Sequence, residues 1–142
     1  MVVLICWERA KSLYLFSMDN KFVIPKTNKT PQVEFDSKKG ILFMQGKIIP
    51  ENPIEFFSQI NHHVDEYIKV NGDNLEININ LDYFNTVSSK MLSKFLQRVV
   101  SSSKPTLNWF YEKDDIELKE AGEDYASIIN YPINLIELEE EN

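Results

Sequence analysis

The sequence predicts an α/β fold: a small mixed β-sheet flanked by helices, in a single domain. Segments whose apolar residues alternate with period two are interspersed with segments of helical period. At 142 residues the chain is long enough for one sizeable core and short for two, and 43% hydrophobic residues are typical of a globular protein. Strands separated by helices imply parallel neighbours and right-handed crossovers. The predicted order is β-β-α-β-α-β-α with a candidate final strand.

The first readable elements form a hairpin. The stretch FVIPKTNKTP, from Phe22, contains two prolines and several turn-forming residues and is predicted to be extended or irregular. QVEFD then alternates, with Val33 and Phe35 on one face, which predicts a strand. SKKG is a plausible turn, and ILFMQGKII predicts a second, more buried strand. This hairpin adds an antiparallel edge to the sheet.

The first helix is predicted from its start signal and its apolar stripe. Asn52 is a candidate N-cap and Pro53 suits the first helical position. Gly72 is a good stop signal. The expected buried stripe consists of Ile54, Phe56, Phe57, Ile60, Val64, Tyr67 and Ile68.

A strand and a second helix follow. LEININLDYF places Leu75, Ile77, Ile79 and Leu81 on one face of a strand, which leaves Asn78 and Asn80 on the other. A helix is predicted from about Thr86 to Ser101, because apolar residues then recur with helical spacing. The residues of that stripe are Leu92, Phe95, Leu96 and Val99.

The last elements repeat this alternation. TLNWFYE predicts a strand with Trp109 and Tyr111 on the core face, so that Phe110 becomes a candidate for binding if it faces outward. Asp114 or Asp115 is expected to cap a third helix through IELKEAGEDYASII. INLIEL is the candidate final strand.

Composition limits the partners and the compartment. The net charge is −7, and residues 112–142 hold 11 acids against 2 bases, so nucleic acid and anionic membranes are not expected partners. A single cysteine, Cys6, cannot form an internal disulfide, which favours a reduced, cytoplasmic setting. Residues 1–17 are interpreted as an extension, with Met18 as an alternative start, residues 18–138 as the domain and residues 139–142 as an acidic tail.

Signals for catalysis and for cofactors are weak in this sequence. Four glycines leave no dinucleotide-binding fingerprint and no P-loop, and no G-x-S-x-G elbow occurs. His62 and His63 are adjacent on the first helix and project about 100° apart, so they do not converge on one metal. We therefore expect no enzymatic activity, no cofactor and no metal site.

The segment LDYFNTVSSK, residues 81–90, concentrates hydroxyl groups where a strand turns into a helix. In one interpretation Thr86 or Asn85 accepts a hydrogen bond from the first turn as an N-cap. In the other, Thr86 is phosphorylated, because a phosphate is tolerated beside the positive end of a helix and Lys90 lies one turn further on. Spacing alone favours the cap.

Several separated blocks resemble one known family. IPKTNKTPQVEFD, GILFMQGKIIPENPIEFF, INLDYFNTVSSKMLSKFL and WFYEKDDIELKEAGEDYASI occur in the order found in the SiaC family of bacterial regulatory phosphoproteins. The resemblance runs from about Phe22 to Ile136 and does not cover residues 1–17. The family is similar to STAS domains of anti-sigma-factor antagonists, so the resemblance implies a STAS-like domain.

The resemblance implies a protein-binding switch controlled by reversible threonine phosphorylation. Family members are phosphorylated in a Y-x-N-T segment by a serine/threonine kinase of the histidine-kinase-like ATPase type and dephosphorylated by a PP2C-type phosphatase. A diguanylate cyclase is the implied effector, with an output in cyclic di-GMP signalling and biofilm formation. The matching residue is Thr86; Ser88 and Ser89 are weaker candidates. The expected partner-binding residues are Asp82, Tyr83, Phe84, Asn85, Thr86 and Lys90.

Two other functions remain open at this stage. The polar strand face at Asn78 and Asn80, together with the acidic third helix, is compatible with a small-molecule site, which would require a deep cavity beside those two residues. A scaffold or dimerisation module, with Thr86 acting only as a cap, is the other alternative.

Overall fold

The computed structural model describes residues 21–139. The predicted extension 1–17, the alternative start at Met18 and most of the acidic tail lie outside these residues. Six strands and three helices make up the described part. The strands are β1 (Lys21–Ile24), β2 (Gln32–Asp36), β3 (Ile41–Ile48), β4 (Glu76–Phe84), β5 (Thr106–Glu112) and β6 (Asn134–Leu138). The helices are α1 (Pro53–Asn71), α2 (Thr86–Ser102) and α3 (Ile116–Ile129).

All six strands form one mixed sheet in which spatial order follows sequence order. β1, β2 and β3 pair antiparallel, whereas β3, β4, β5 and β6 pair parallel. The parallel part is built from three successive β-α-β units. The predicted α/β class, the parallel pairs and the candidate final strand are therefore confirmed.

The three helices share one face of the sheet. Parallel strands that advance in one direction through right-handed crossovers place every connecting helix on the same side. The main core lies between this face and the helices, and its fully buried side chains come from both layers. They include Phe35, Leu42, Ile77, Phe57, Phe95 and Trp109.

Side-chain caps begin each helix. The Asn52 side chain accepts from the Glu55 amide in α1, and the Asp115 side chain accepts from the Leu118 amide in α3. For α2 the sequence left Asn85 and Thr86 as alternatives, and Asn85 is the cap. For α3 the sequence left Asp114 and Asp115 as alternative caps, and Asp115 is the cap.

Two segments differ from what the sequence predicts. The stretch from Phe22 was expected to be extended or irregular, and its first residues instead form β1, which pairs with β2 until Pro25. Ile54 was expected in the buried stripe of α1, but it is 71% exposed. Ile54 is the second residue of α1, and the buried positions of this helix begin only at Phe56.

The second face of the sheet carries none of the described helices, and we call it the helix-free face. A smaller apolar cluster lies on it. Its members are Ile41, Phe43 and Phe110, with Ile136 and Leu138 packed beside them. Asn78 and Asn108 lie on the same face, where the Asn108 amide donates to the Asn78 side-chain oxygen at 2.9 Å. Phe110 therefore lies opposite Trp109, as predicted, but it is 3% exposed rather than open to solvent.

Candidate partner-binding site at the carboxyl edge of the sheet

The candidate site lies at one edge of the sheet, which we call the carboxyl edge. Here β3, β4 and β5 end and α1, α2 and α3 begin. In open sheets with parallel strands, binding sites gather at this edge, because the loops that join strands to helices are free to vary there. Residues 81–90, singled out by the sequence, are at its centre.

Thr86 is the first residue of α2, and its side chain is exposed. The side-chain oxygen of Asn85 accepts from the Ser88 amide at 2.9 Å, and the Asn85 carbonyl accepts from the Ser89 amide at 2.9 Å. The capping hydrogen bond is thus made by Asn85. The hydroxyl of Thr86 is not required to start the helix, and it faces solvent.

The neighbouring serines are sequestered, each in a different way. Ser88 is fully buried, and its hydroxyl has no hydrogen-bond partner among the described residues. The hydroxyl of Ser89 lies 2.7 Å from the phenol oxygen of Tyr125 in α3. That phenol also donates to the Ser89 carbonyl at 3.3 Å. Of the three residues, Thr86 is exposed, Ser89 is half-buried and Ser88 is buried.

Tyr125 of α3 stabilises the first turn of α2 through its hydrogen bonds to Ser89. Its ring is 4% exposed and packs against Trp109 and Phe84, with ring centroids 5.4 and 6.2 Å away. Burial raises the pKa of the Tyr125 phenol, and the hydrogen bond to Ser89 offsets this in part. The phenol remains protonated at neutral pH and holds α3 against α2.

The other predicted site residues divide into exposed and structural positions. Asp82, Tyr83 and Lys90 are exposed. Phe84 is half-buried, and its ring packs against the Trp109 ring beneath the carboxyl edge. Asn85 is the helix cap.

Exposed apolar side chains also lie at the carboxyl edge. Four of the exposed large hydrophobic residues occupy equivalent places, either in the first turn of a helix or at the end of β4, and are 55–71% exposed. Three of them were not predicted as partner-binding residues from the sequence. The sequence feature that could have identified these three is an apolar residue at the first or second position of a helix, before its periodic apolar stripe begins. The four are Ile54, Tyr83, Val87 and Ile116.

The edge also carries acidic side chains. Asp82 is the first exposed residue near the end of β4. Three further exposed acidic residues, Glu112, Asp114 and Glu117, lie around the start of α3. An edge that combines exposed apolar and acidic groups suits a protein partner with apolar and basic groups. Nucleic acid is a poor fit to it.

Residues 21–139 contain no group of three or more His, Cys, Asp or Glu side chains placed to hold a metal ion. No described helix is both long and apolar enough to span a bilayer. Two surface cavities of about 380 and 430 Å³ lie elsewhere than beside Asn78 and Asn80. Asn78 is instead engaged within the sheet, where its amide donates to the Leu42 carbonyl at 3.3 Å.

The described residues form an α/β domain in which three helices lie on one face of a six-stranded sheet and the start of α2 presents an exposed threonine. The family model for SiaC family regulatory phosphoproteins matches residues 24–138, and the chain belongs to that family. An uncharacterised protein of Pseudomonas aeruginosa strain UCBPP-PA14 is 30% identical over 113 residues, which cover 77% of this chain and 90% of that protein.

Solved structures of the same family share the fold. SiaC of Pseudomonas aeruginosa is 28% identical with a TM-score of 0.71, and the match covers 82% of this chain and 98% of that one. The crystal structure of the diguanylate cyclase SiaD in complex with its activator SiaC, from the same organism, gives a TM-score of 0.75 at 28% identity, covering 83% and 99% of the two chains. The predicted family and fold class are thus confirmed, and in that relative the domain acts as a regulatory partner of a cyclase.

Proposed function

We propose that this protein is a non-enzymatic switch whose carboxyl edge binds an effector protein and whose Thr86 is reversibly phosphorylated. The observation that carries the proposal is the position of Thr86. It is exposed at the first position of α2, is not needed as a cap, and has the exposed residues Tyr83 and Val87 close to it in the sequence.

The start of α2 suits an added phosphate. α1 and α3 each have an acidic residue in the first turn, Glu55 and Glu117, whereas α2 has none. The positive end of its helix dipole is therefore not compensated by a side chain of that turn. A phosphate on Thr86 would add about −1.5 to −2 charge there. Lys90, exposed one turn further on, would pair with it.

The same phosphate would oppose binding of a partner. Val87 and Tyr83, which flank Thr86, are 56% and 55% exposed and would lie against the partner. A dianion between them would be desolvated without a matching charge, and it would increase the negative charge contributed by Asp82. The fold would survive while the affinity falls. We infer that the unphosphorylated form is the binding form.

A diguanylate cyclase is the proposed effector, because the similar SiaC of Pseudomonas aeruginosa was crystallised as the activator bound to such an enzyme. A serine/threonine kinase of the histidine-kinase-like ATPase type and a PP2C-type phosphatase are the proposed modifying partners, acting in the cytoplasm. All three would act on the carboxyl edge, so they would compete for it.

The test is phosphorylation by such a kinase with ATP, followed by intact mass measurement and site mapping. We expect one phosphate on the parent protein, at Thr86, and none on Thr86→Ala. Ser88→Ala and Ser89→Ala serve as matched controls and should keep the phosphate. A phosphate that persists on Thr86→Ala and maps to Ser88 or Ser89 would overturn the assignment.

A further inference from the structure

Three asparagine side chains form a hydrogen-bonded row across β4, β5 and β6. Asn78, Asn108 and Asn134 occupy directly paired positions of these parallel strands. The Asn134 amide donates to the Asn108 side-chain oxygen at 2.9 Å, and the Asn108 amide donates to the Asn78 oxygen at 2.9 Å. The Asn78 amide donates in turn to the Glu76 carboxylate at 3.2 Å. Every donor in the row therefore points away from β6.

The row ends in an acceptor at the outer edge of β6. Asn134 is exposed, and its side-chain oxygen accepts no hydrogen bond from the residues that the structure describes. In a row of paired asparagines each oxygen accepts from the strand on its outer side. The Asn134 oxygen is thus placed to accept from a strand added beside β6.

The backbone of β6 is equally open to an added strand. Within residues 21–139, β6 pairs only with β5. A strand paired on one side carries unpaired N–H and C=O groups on the other, and Lys, Pro or a bulge commonly protects such an edge. β1, at the opposite edge, begins with Lys21 and is followed directly by Pro25. β6 pairs in continuous register over its five residues and contains neither Lys nor Pro.

Acidic side chains around β6 select the charge of the added strand. Glu137 lies within β6, and the exposed Glu139 directly follows it. α3 packs beside this strand, since its Gly122 faces the Leu135 side chain. The exposed acids of α3 are Glu117, Glu120, Glu123 and Asp124. A second copy paired through β6 would bring two acidic regions together, whereas a basic segment would be attracted to one.

We propose that the outer edge of β6 binds an extended, basic segment of a partner protein as a further strand of the sheet. In this mode of recognition main-chain hydrogen bonds supply affinity, and alternate side chains supply specificity. Lys or Arg side chains of the segment approach Glu137 and Glu139, and a donor side chain opposite Asn134 extends the asparagine row. The surface lies at β6, so the inference does not depend on phosphorylation at Thr86.

The first test uses an acetylated, amidated heptapeptide of alternating lysine and threonine, titrated into the ¹⁵N-labelled full chain. We expect the largest amide shifts, and new protection from hydrogen exchange, at residues 134–138. The control peptide carries a methyl group on every backbone nitrogen, so it keeps the charge and loses its main-chain donors. It should bind at least about tenfold more weakly. Equal binding of the two peptides, or largest shifts away from β6, would overturn the proposal.

Charge reversal at the edge gives a second test. The double variant Glu137→Lys, Glu139→Lys should weaken binding of the unmethylated peptide at least about fivefold. Glu51→Lys, Glu66→Lys is the matched control, because it changes the net charge equally at two exposed acids outside β6 and α3. Equal weakening in the two variants would mean that net charge alone attracts the peptide, contrary to the proposal. Sedimentation of the peptide-free protein as a dimer with protected β6 amides would assign the edge to a second copy instead.

Discussion

The phenol oxygen of Tyr125 lies 2.7 Å from the hydroxyl of Ser89, which joins the third helix to the first turn of the second. This contact links the packing of the core to the carboxyl edge at Thr86. It also engages the hydroxyl of the half-buried Ser89, one turn away from the exposed threonine.

Tyr125→Phe should destabilise the protein by about 0.5–1.5 kcal/mol, because the Ser89 hydroxyl loses its partner while the ring still fills its place. Urea denaturation measures the change. Tyr83→Phe, at an exposed ring, is the matched control and should have no measurable effect. An equal loss in both variants would show that the Ser89 contact contributes no stability.

Asn85→Ala should lower the free energy of unfolding by about 0.5–2 kcal/mol, since it removes the α2 cap. Thr86→Ala should stay within about 0.5 kcal/mol of the parent, because the exposed hydroxyl makes no capping bond. Chemical denaturation of the two variants side by side tests this. If Thr86→Ala were the more destabilised, Thr86 would be the cap, contrary to the structure.

Thr86→Asp should weaken binding to a cognate diguanylate cyclase by about fivefold or more, although one carboxylate imitates a phosphate poorly. Thr86→Ala should bind like the parent. Thr106→Asp places the same charge on an exposed residue at the start of β5, the opposite edge, and should leave binding unchanged. Calorimetry decides, and parent-like affinity of Thr86→Asp would refute the electrostatic mechanism.

His63 should make stability depend on pH. Its ring stacks on Phe22 at a centroid distance of 3.9 Å, and burial, followed by the charge of His62, lowers the pKa of His63 below 6.5. Below pH 6.5 the unfolded chain binds the proton more readily than the folded one, so stability should fall as the pH decreases from 6.5 to the folded pKa. Above 6.5 this group contributes no slope.

Replacing His63 with Gln should reduce that slope, which thermal unfolding between pH 7 and pH 5 can measure. His62→Gln is the control: it removes only the smaller cause, so most of the slope should remain. An unchanged slope in His63→Gln would assign the pH dependence to other groups.

Gly122→Ala should cost about 1–3 kcal/mol despite the better helix propensity of alanine. A Cβ at this position would lie 2.7 Å from the Trp109 ring and 2.7 Å from the Leu135 side chain, so α3 must move away from the sheet. Ser127→Ala in the same helix, at an exposed position, should be neutral or stabilising. Equal stability of the two variants would mean that the helix shifts at no cost.

Local sequence signals determined most of the architecture. Alternation in QVEFD and LEININLDYF predicted β2 and β4, and the Asn52-Pro53 pair predicted the start of α1, because period and capping depend only on residues close in the chain. The family resemblance directed attention to Thr86 among three nearby hydroxyls. β1 was not predicted as a strand, because the two prolines and the turn-forming residues that follow it obscured its pairing with β2.

Tertiary structure alone decided which side chains are free to act. Ser88 and Thr86 are two residues apart, yet one is fully buried and the other is exposed, since only the helix's orientation on the sheet distinguishes them. The sequence by itself determined the elements and their order, because these follow from short-range periodicity. Accessibility arises from packing between distant segments, so the structure was needed to separate the exposed threonine from the sequestered serines.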